Sequence, residues 1–233
     1  MELFWHGLIE ALHLLFSGDS QTISIALLSL TVSGLATFIS VLIGVPVGIV
    51  LALSRFRGRK VIMASVNTGM GLPPTVVGLV VSIFLWRSGP MGALGLMYSP
   101  AAMIIAQALI AVPLVTGFTM AGVQQLNPNL LLQIRAMGAS RFQLWGKLLR
   151  ESRLSLLAAV IAGFGGVISE VGASMMVGGN IKDETRVLTT AIVMEVSKGN
   201  FSLAMALSII LITLAFAVTF VLTRVQQRRG GIQ

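Results

Sequence analysis

The sequence NPNLLLQIRAMGASRFQLWGKLLRESR, residues 127–153, separates two long apolar runs and is itself too polar to cross a membrane. Its basic residues are Arg135, Arg141, Lys147, Arg150 and Arg153. Glu151 is its one acid. A basic segment between two apolar runs predicts a docking element for a partner at the membrane face.

The composition of the whole chain is that of a membrane protein. Of its 233 residues, 55% are hydrophobic and only 10% are charged, whereas soluble domains carry about 25% charged residues. The length fits one bundle of five or six spans with no separate soluble domain. The absence of cysteine excludes disulfides and thiolate metal sites.

Five apolar runs are long enough to span a bilayer. They are residues 23–53, 61–86, 96–123, 154–177 and 201–223. The expected fold class is therefore an all-α, polytopic membrane helix bundle with about five transmembrane helices. A further apolar stretch, 187–197, is too short to span at about 1.5 Å per residue. It predicts a short helix at the outer face or a re-entrant piece.

Most of the 16 lysines and arginines lie in loop 54–60, in segment 127–153 and in the C-terminal tail. The positive-inside rule places these regions in the cytoplasm and the N-terminus outside. The same rule accounts for the net charge of +8, so no nucleic-acid partner is expected. We expect a membrane domain at 19–226, which includes a cytoplasmic loop at 127–153, and a basic cytoplasmic tail at 227–233.

Residues 1–18 predict an amphipathic helix that lies in the membrane interface. Its polar face carries Glu2, His6, Glu10 and His13. The other face carries Leu3, Phe4, Leu8, Ile9, Leu12, Leu15 and Phe16. The two histidines could bind a metal, but their pattern is more typical of a solvated face.

Prolines and glycines interrupt the apolar runs at 44–48, 71–74, 113 and 163–166. Single glycines of this kind usually serve helix packing or kinking. The pair Pro73-Pro74 is more informative, because neither residue has an N–H and Pro74 disfavours a helical conformation at Pro73. We predict a kink or break there that shapes a central path.

Segment 127–153 predicts two short helices with a glycine turn between them. Asn127 and Pro128 are typical of an N-cap and a first helical residue. Gly138 is placed to end the first helix in the left-handed conformation. Ser140 and Gln143 form a capping-box pattern that begins the second helix. One face of the first helix is expected to carry Leu131, Ile134 and Met137.

The run IRAMGAS at 134–140, with Phe142, Leu144 and Trp145 after it, resembles the "EAA" cytoplasmic loop of ABC-importer permeases. In that family the first short helix and its turn seat in a groove of the ATP-binding subunit. Here Ile134-Arg135-Ala136 stands where Glu-Ala-Ala is typical. The resemblance therefore implies ATPase contact through Ala136, Met137, Gly138, Ala139 and Ser140. The alternative is an ordinary interfacial loop, which explains the charge but not the caps and the turn.

A second resemblance covers nearly the whole chain. GFGGVISEVGASMMVGGNI at 163–181, TRVLTTAI at 185–192, GLPPTVVG at 71–78 and GPMG at 89–92 are similar to tungstate-importer permeases. The resemblance implies an inner-membrane permease subunit that works as a homodimer, with an extracytoplasmic oxyanion-binding protein delivering substrate. No G-x-x-x-x-G-K-[ST] motif is present, so ATP would be used by a separate ABC subunit and this chain would bind no cofactor or metal.

The resemblance directs attention to donors for an oxyanion near the outer face. Backbone N–H groups at Gly178, Gly179 and Asn180 could supply them, as could the hydroxyls of three threonines. These threonines are Thr185, Thr189 and Thr190. The alternative is that all of them are turn and cap residues, and we favour it for the threonines.

Glu170 is the one acid well inside an expected span, where a charge costs roughly 2.5–3.5 kcal/mol. A carboxylate repels an oxyanion, so we predict a structural or gating role, either pairing with Arg186 or capping a broken helix. Arg186 could attract the anion, but a salt bridge within its acid-containing loop is expected instead.

Two other classes of protein remain open. An ion-coupled secondary transporter would show inverted repeats and midplane acids, of which the chain offers only Glu170. A membrane enzyme would need a polar catalytic set, and the two histidines lie in the N-terminal helix. Molybdate, sulfate or phosphate would suit the same kind of permease as tungstate.

Overall fold

The computed structural model describes residues 2–138 and 140–228, which form helices α1–α11 and no strand. The helices are α1 (Glu2–Phe16), α2 (Ser20–Leu53), α3 (Arg59–Met70), α4 (Pro74–Leu85), α5 (Pro100–Gln124), α6 (Pro128–Ala136), α7 (Arg141–Glu151), α8 (Arg153–Ile168), α9 (Gly172–Gly178), α10 (Leu188–Ser197) and α11 (Phe201–Arg228). The prediction of an all-α fold is confirmed. Of the expected tail, the last five residues lie outside the described part.

Helices α2, α5 and α11 are each long and apolar enough to cross a membrane. Local capping sets where two of them begin. The Asp19 carboxylate accepts hydrogen bonds from the Thr22 N–H at 2.8 Å and the Thr22 hydroxyl at 2.6 Å. These bonds hold the pKa of Asp19 below its usual value, the hydroxyl contributing most. At α5, Ser99 Oγ accepts from the Ala102 N–H, and Pro100 fills the first helical position.

The glycines of α2 bring it close to α5 instead of interrupting it. A Cβ added at Gly48 would lie 2.8 Å from the Thr116 carbonyl oxygen, and one added at Gly44 would lie 2.9 Å from Val115 Cγ1. Ser40 Oγ donates to the Ala108 carbonyl across the same contact. The glycines and prolines at 44–48, 113 and 163–166 lie inside continuous helices, and Gly44 and Gly48 serve the helix packing that is usual for such residues.

Helices α2 and α5 run parallel, and α8 runs antiparallel to α5 with Gly122 against Ser155. The C-terminal part of α11 lies beside the start of α8, where Gln226 Nε2 donates to the Leu154 carbonyl. Leu53, at the end of α2, packs on a small core in α6 and α7. We call this end of the bundle, with loop 54–58 and helices α6 and α7, the basic end.

Two expected spans are not single helices. The span predicted at 61–86 consists of α3 and α4, which meet at 105°, so the break expected at Pro73-Pro74 is confirmed. The span predicted at 154–177 is also broken, since α8 ends at Ile168 and α9 begins at Gly172. This agrees with the broken helix that Glu170 was expected to cap. The side chain of Glu170 accepts from the Ala173 N–H and so starts a new helix there.

Helix α1 packs against α11 through small residues. Gly7 lies against Met205, and Ala11 is buried with Leu207 and Ile210. Among the described side chains of α1, those of Trp5, Ile9 and Leu12 are exposed. An outward apolar surface suits a helix at the membrane interface, which stays a prediction.

Replacing Gly48 with alanine should destabilise the protein by about 1–3 kcal/mol, because the new methyl overlaps the backbone of α5. The matched control is Gly34→Ala in the same helix, where nothing lies within 4 Å of an added Cβ. That change should be neutral or stabilising by up to about 1 kcal/mol, since alanine is the better helix former. Unfolding of both variants in detergent measures the difference, and equal stabilities would contradict the packing described here.

Candidate functional site

The two helix breaks lie at the same depth in the bundle, beside the middle of α5. Before the first break, a Cβ added at Gly69 would lie 2.8 Å from Pro113 Cγ. Before the second break, a Cβ added at Gly166 would lie 3.1 Å from Leu114 Cδ1. The chain therefore leaves the helical conformation twice at one level.

Helices α4 and α9, which follow the breaks, pack directly on each other. A Cβ added at Gly78 would lie 2.6 Å from the Ala173 Cα, so this contact requires glycine. Gly172 lies against the side chain of Thr75, one residue after Pro74. The structure thus brings Pro73 and Pro74 close to the Glu170 segment, although they are far apart in sequence.

Glu170 acts as a helix cap. It is 8% exposed, and its Oε1 accepts from the Ala173 N–H at 2.8 Å. Its carbonyl oxygen accepts from the Thr189 hydroxyl at 2.9 Å. Of the two roles expected for this residue, capping a broken helix is confirmed, and pairing with Arg186 is not seen in the described contacts. The carboxylate is thus held by the backbone of the helix that follows it.

Gln107 of α5 is a buried polar residue that the sequence analysis missed. Its Nε2 donates to Ser174 Oγ of α9 at 3.1 Å, and its Oε1 has no partner among the described residues. The bond ties the half-helix α9 to the continuous helix α5. An amide within an apolar run was the signal available in the sequence, because polar groups at membrane depth usually need a partner.

Loop 178–186 forms a closed turn after α9. Gly179 and Asn180 both adopt left-handed conformations, with φ of 71° and 54°. The Gly179 N–H donates to the Met175 carbonyl, and the Thr185 hydroxyl donates to the Gly178 carbonyl. Several groups expected to bind an oxyanion are thus used within the turn. An oxyanion role for Gly178, Gly179 and Asn180 stays a prediction.

The threonine hydroxyls near this loop are engaged as turn and cap groups, as we favoured. Thr185 Oγ1 also accepts from the Ile181 N–H at 3.0 Å. Thr190 Oγ1 accepts from the Val187 N–H at 3.1 Å at the start of α10. The predicted short helix within 187–197 is confirmed as α10.

The salt bridge expected for Arg186 is not formed within the described residues. The Glu195 carboxylate is occupied by Lys198 at 2.8 Å and by Asn200 at 2.7 Å. The hydrogen bond from Lys198 contributes most to lowering the pKa of Glu195, and the hydrogen bond from Asn200 lowers it further. Arg186 instead donates to the Asn180 carbonyl at 3.4 Å, while its buried Nε has no described partner.

Arg186 lines a cavity of about 270 Å³ together with residues of several helices. Among the other lining residues are Glu10 of α1, Asp19, Thr22 of α2 and Glu195 of α10. Three carboxylates around one guanidinium make this cavity a poor place for a free oxyanion.

At the basic end, helices α6 and α7 meet at the predicted glycine turn. Gly138 has φ 77°. The Ser140 N–H donates to Gln143 Oε1, and the Gln143 N–H donates to Ser140 Oγ, so the capping box is confirmed. Asn127 caps α6 by accepting from the Asn129 N–H.

Of the residues expected to contact an ATPase, Met137 and Gly138 line a surface groove of about 560 Å³. Its lining residues are Ile134, Met137, Gly138, Gln143, Gly146, Lys147 and Arg150. Met137 is 76% exposed and Ile134 is 4% exposed, although both line this groove. The face predicted for these two residues and Leu131 stays a prediction, since the side chain of Leu131 lies outside the described part of the chain. Helix α6 ends at Ala136, and Met137 belongs to the turn that follows it. Ala139 lies outside the described residues.

Comparison with known proteins agrees with this architecture. The model of the family "Binding-protein-dependent transport system inner membrane component" matches residues 44–231. A tungstate uptake system permease protein, TupB of Peptoclostridium acidaminophilum, is 39% identical over 97% of this chain and all of its own length. A probable anion ABC transporter permease of Haloferax volcanii is 37% identical, covering 90% of this chain and 92% of its own.

Among solved structures, the inward-facing MetNI methionine ABC transporter superposes with a TM-score of 0.77 at 21% identity. The match covers 90% of this chain and 96% of that one. The fold is therefore that of a multi-pass transport permease. The chain belongs to the family of binding-protein-dependent transport system inner membrane components.

Replacing Glu170 with alanine should cost about 1–2 kcal/mol of stability, because the start of α9 loses its cap. Glutamine, which keeps an acceptor oxygen, should cost less. Glu184, an exposed residue of the following loop, supplies the control Glu184→Ala, which should be neutral. Thermal unfolding of the three purified variants tests the order, and a stable Glu170→Ala protein would exclude the capping role.

Proposed function

We propose that this chain is the permease subunit of an ATP-driven ABC importer for tungstate and that two copies form one translocation path. The observation that carries the proposal is the groove at the basic end, where an exposed Met137 and a left-handed Gly138 project beyond helix α6. Such a surface suits helix-in-groove docking on a second protein. We infer tungstate as the substrate from the similarity to the tungstate uptake permease described above.

The partner at this groove is the ATP-binding ABC subunit. Ala136, Met137, Gly138, Ala139 and Ser140 form the contact. This chain binds no cofactor, and ATP is used by the partner alone. Lys147 and Arg150 line the same groove and favour a partner surface that carries acidic groups.

A continuous series of packed residues in α6, α7 and α8 connects this groove to the second helix break. The buried residues Ile134, Leu144 and Leu148 hold α6 and α7 together. Ser152 is buried between α7 and α8, and its hydroxyl donates to the Leu148 carbonyl at 2.6 Å. Helix α8 then leads to Glu170. Movement of the ATPase would therefore reach the segment near Pro73, Pro74 and Glu170, which we assign to the path or its gate.

The topology follows from charge. We place the basic end and the C-terminus in the cytoplasm and the N-terminus outside, by the positive-inside rule. An extracytoplasmic oxyanion-binding protein then docks at the opposite end, which carries loop 178–186 and Arg186. The interfacial helix comprises residues 1–18, the permease domain 19–226 and the tail 227–233.

The use of Glu170 as a cap disfavours a secondary transporter. Coupling to an ion gradient usually requires an acid that is free to bind the ion near the midplane. Here the Glu170 carboxylate already accepts from the Ala173 N–H. Molybdate and sulfate remain alternative substrates, because both are tetrahedral dianions like tungstate.

Transport assays in liposomes test the substrate and the energy source together. Permease, ATPase and binding protein are reconstituted, and uptake of labelled tungstate is measured with molybdate or sulfate as competitor. We expect uptake that needs ATP, survives collapse of ion gradients and is displaced best by unlabelled tungstate. Stronger displacement by molybdate or sulfate would reassign the substrate, and uptake driven by an ion gradient would reject the importer.

The docking surface has its own test in Gly138→Val. A β-branched residue at φ 77° strains the turn, so we expect a folded permease that retains its ATPase at least tenfold less well. Gly199 has φ 80° and, like Gly138, has nothing within 4 Å of an added Cβ, which makes Gly199→Val the matched control. Equal ATPase retention by the two variants in co-purification would contradict the assigned contact.

A further inference from the structure

The strongly basic loop between α2 and α3 has no role in the function proposed above. Residues 55–60, which run from this loop into the first two residues of α3, read RFRGRK, and no aspartate or glutamate occurs between Ser20 and Arg150. Arg55, Arg57 and Lys60 are exposed, and no described residue forms a salt bridge with them. The loop therefore holds a concentrated positive charge that the bundle itself does not neutralise.

One cation of the loop has a structural task, which separates it from the others. Arg59 Nε donates to the Leu51 carbonyl at 2.7 Å and so closes the last turn of α2. This bond fixes the loop against the end of a membrane-crossing helix. The charges of Arg55, Arg57 and Lys60 are consequently held at the level where that helix leaves the membrane.

The loop borders a cavity of about 440 Å³ whose wall is both charged and apolar. Its lining residues are Arg55, Phe56, Gly58, Arg59, Lys60 and Val61. Val61 is 68% exposed, and Phe56 and Ile62 are also exposed. Helix α3 itself contains no buried residue. Cations and apolar side chains thus share one open surface beside the membrane.

We propose that this surface binds the headgroup of an anionic phospholipid. The lipid phosphate lies against Arg55, Arg57 and Lys60, and the acyl chains run along Phe56, Val61 and Ile62. Clusters of basic residues directly beside a membrane helix attract anionic lipids. A soluble phosphate would engage the cations alone and leave the apolar wall bare, whereas a lipid satisfies both parts.

The test measures binding of dye-labelled phosphatidylglycerol to the purified full-length chain in an uncharged detergent, with phosphatidylcholine for comparison. Each cation near an anionic lipid is worth about 1 kcal/mol, or about fivefold in affinity. The double variant Arg55→Gln/Arg57→Gln should therefore bind phosphatidylglycerol roughly thirtyfold more weakly. The charge-matched control Arg87→Gln/Lys182→Gln, which alters two cations away from the cavity, should bind like the unmodified chain.

A charge-preserving variant guards against misfolding. Arg55→Lys/Arg57→Lys should keep most of the affinity, and millimolar orthophosphate should not displace the lipid. Equal binding of phosphatidylcholine, unchanged binding by the glutamine variant, or displacement by orthophosphate would each overturn the proposal. It would also be overturned if the glutamine variant bound phosphatidylglycerol normally but lost its ATPase, since the loop would then be a protein contact. None of these measurements depends on the transported substrate.

Discussion

Backbone polar groups inside a membrane must find partners within the protein, because hydrocarbon offers none. This constraint governs the two places where the bundle leaves the helical conformation. At the first, prolines remove the N–H groups that would otherwise need acceptors. At the second, Glu170 supplies an acceptor to Ala173 and Thr189 supplies a donor to the Glu170 carbonyl. The breaks persist because each is locally satisfied.

Helix α5 provides the support on which both breaks depend. Helix α2 packs on α5 through its glycines, and α8 packs on α5 in the antiparallel direction. The C-terminal end of α3 contacts Pro113 of α5. Ser29 of α2 accepts from the Leu188 N–H at 2.8 Å, which fixes the start of α10 to the same frame. The continuous helices α2 and α5 thus form a scaffold, and the interrupted helices carry the segments that we assign to the path or its gate.

Features set by local chemistry were predictable from the sequence. The capping box of Ser140 and Gln143, the left-handed Gly138 and the break at Pro73-Pro74 each depend on residues a few positions apart. The failures concern long-range packing. Glycines such as Gly48 were expected to serve packing or kinking, but the sequence could not name the residue that each one approaches, which is Thr116 for Gly48. The bond between Gln107 and Ser174 and the meeting of α4 with α9 likewise join distant residues, which one sequence cannot pair.

The short connection at Ser152 couples the orientation of α8 to that of α7. Helices α7 and α8 meet there at 71°, with Ser152 alone between them. A tilt of α7 would therefore also tilt α8. Helix α8 has 16 residues and is about 24 Å long. A rotation of about 5° at its base would displace its far end by about 2 Å. That far end precedes the Glu170 cap, whose hydrogen bond is 2.8 Å long. In the proposed mechanism, a small rotation at the basic end would therefore displace the Glu170 segment far enough to break this hydrogen bond.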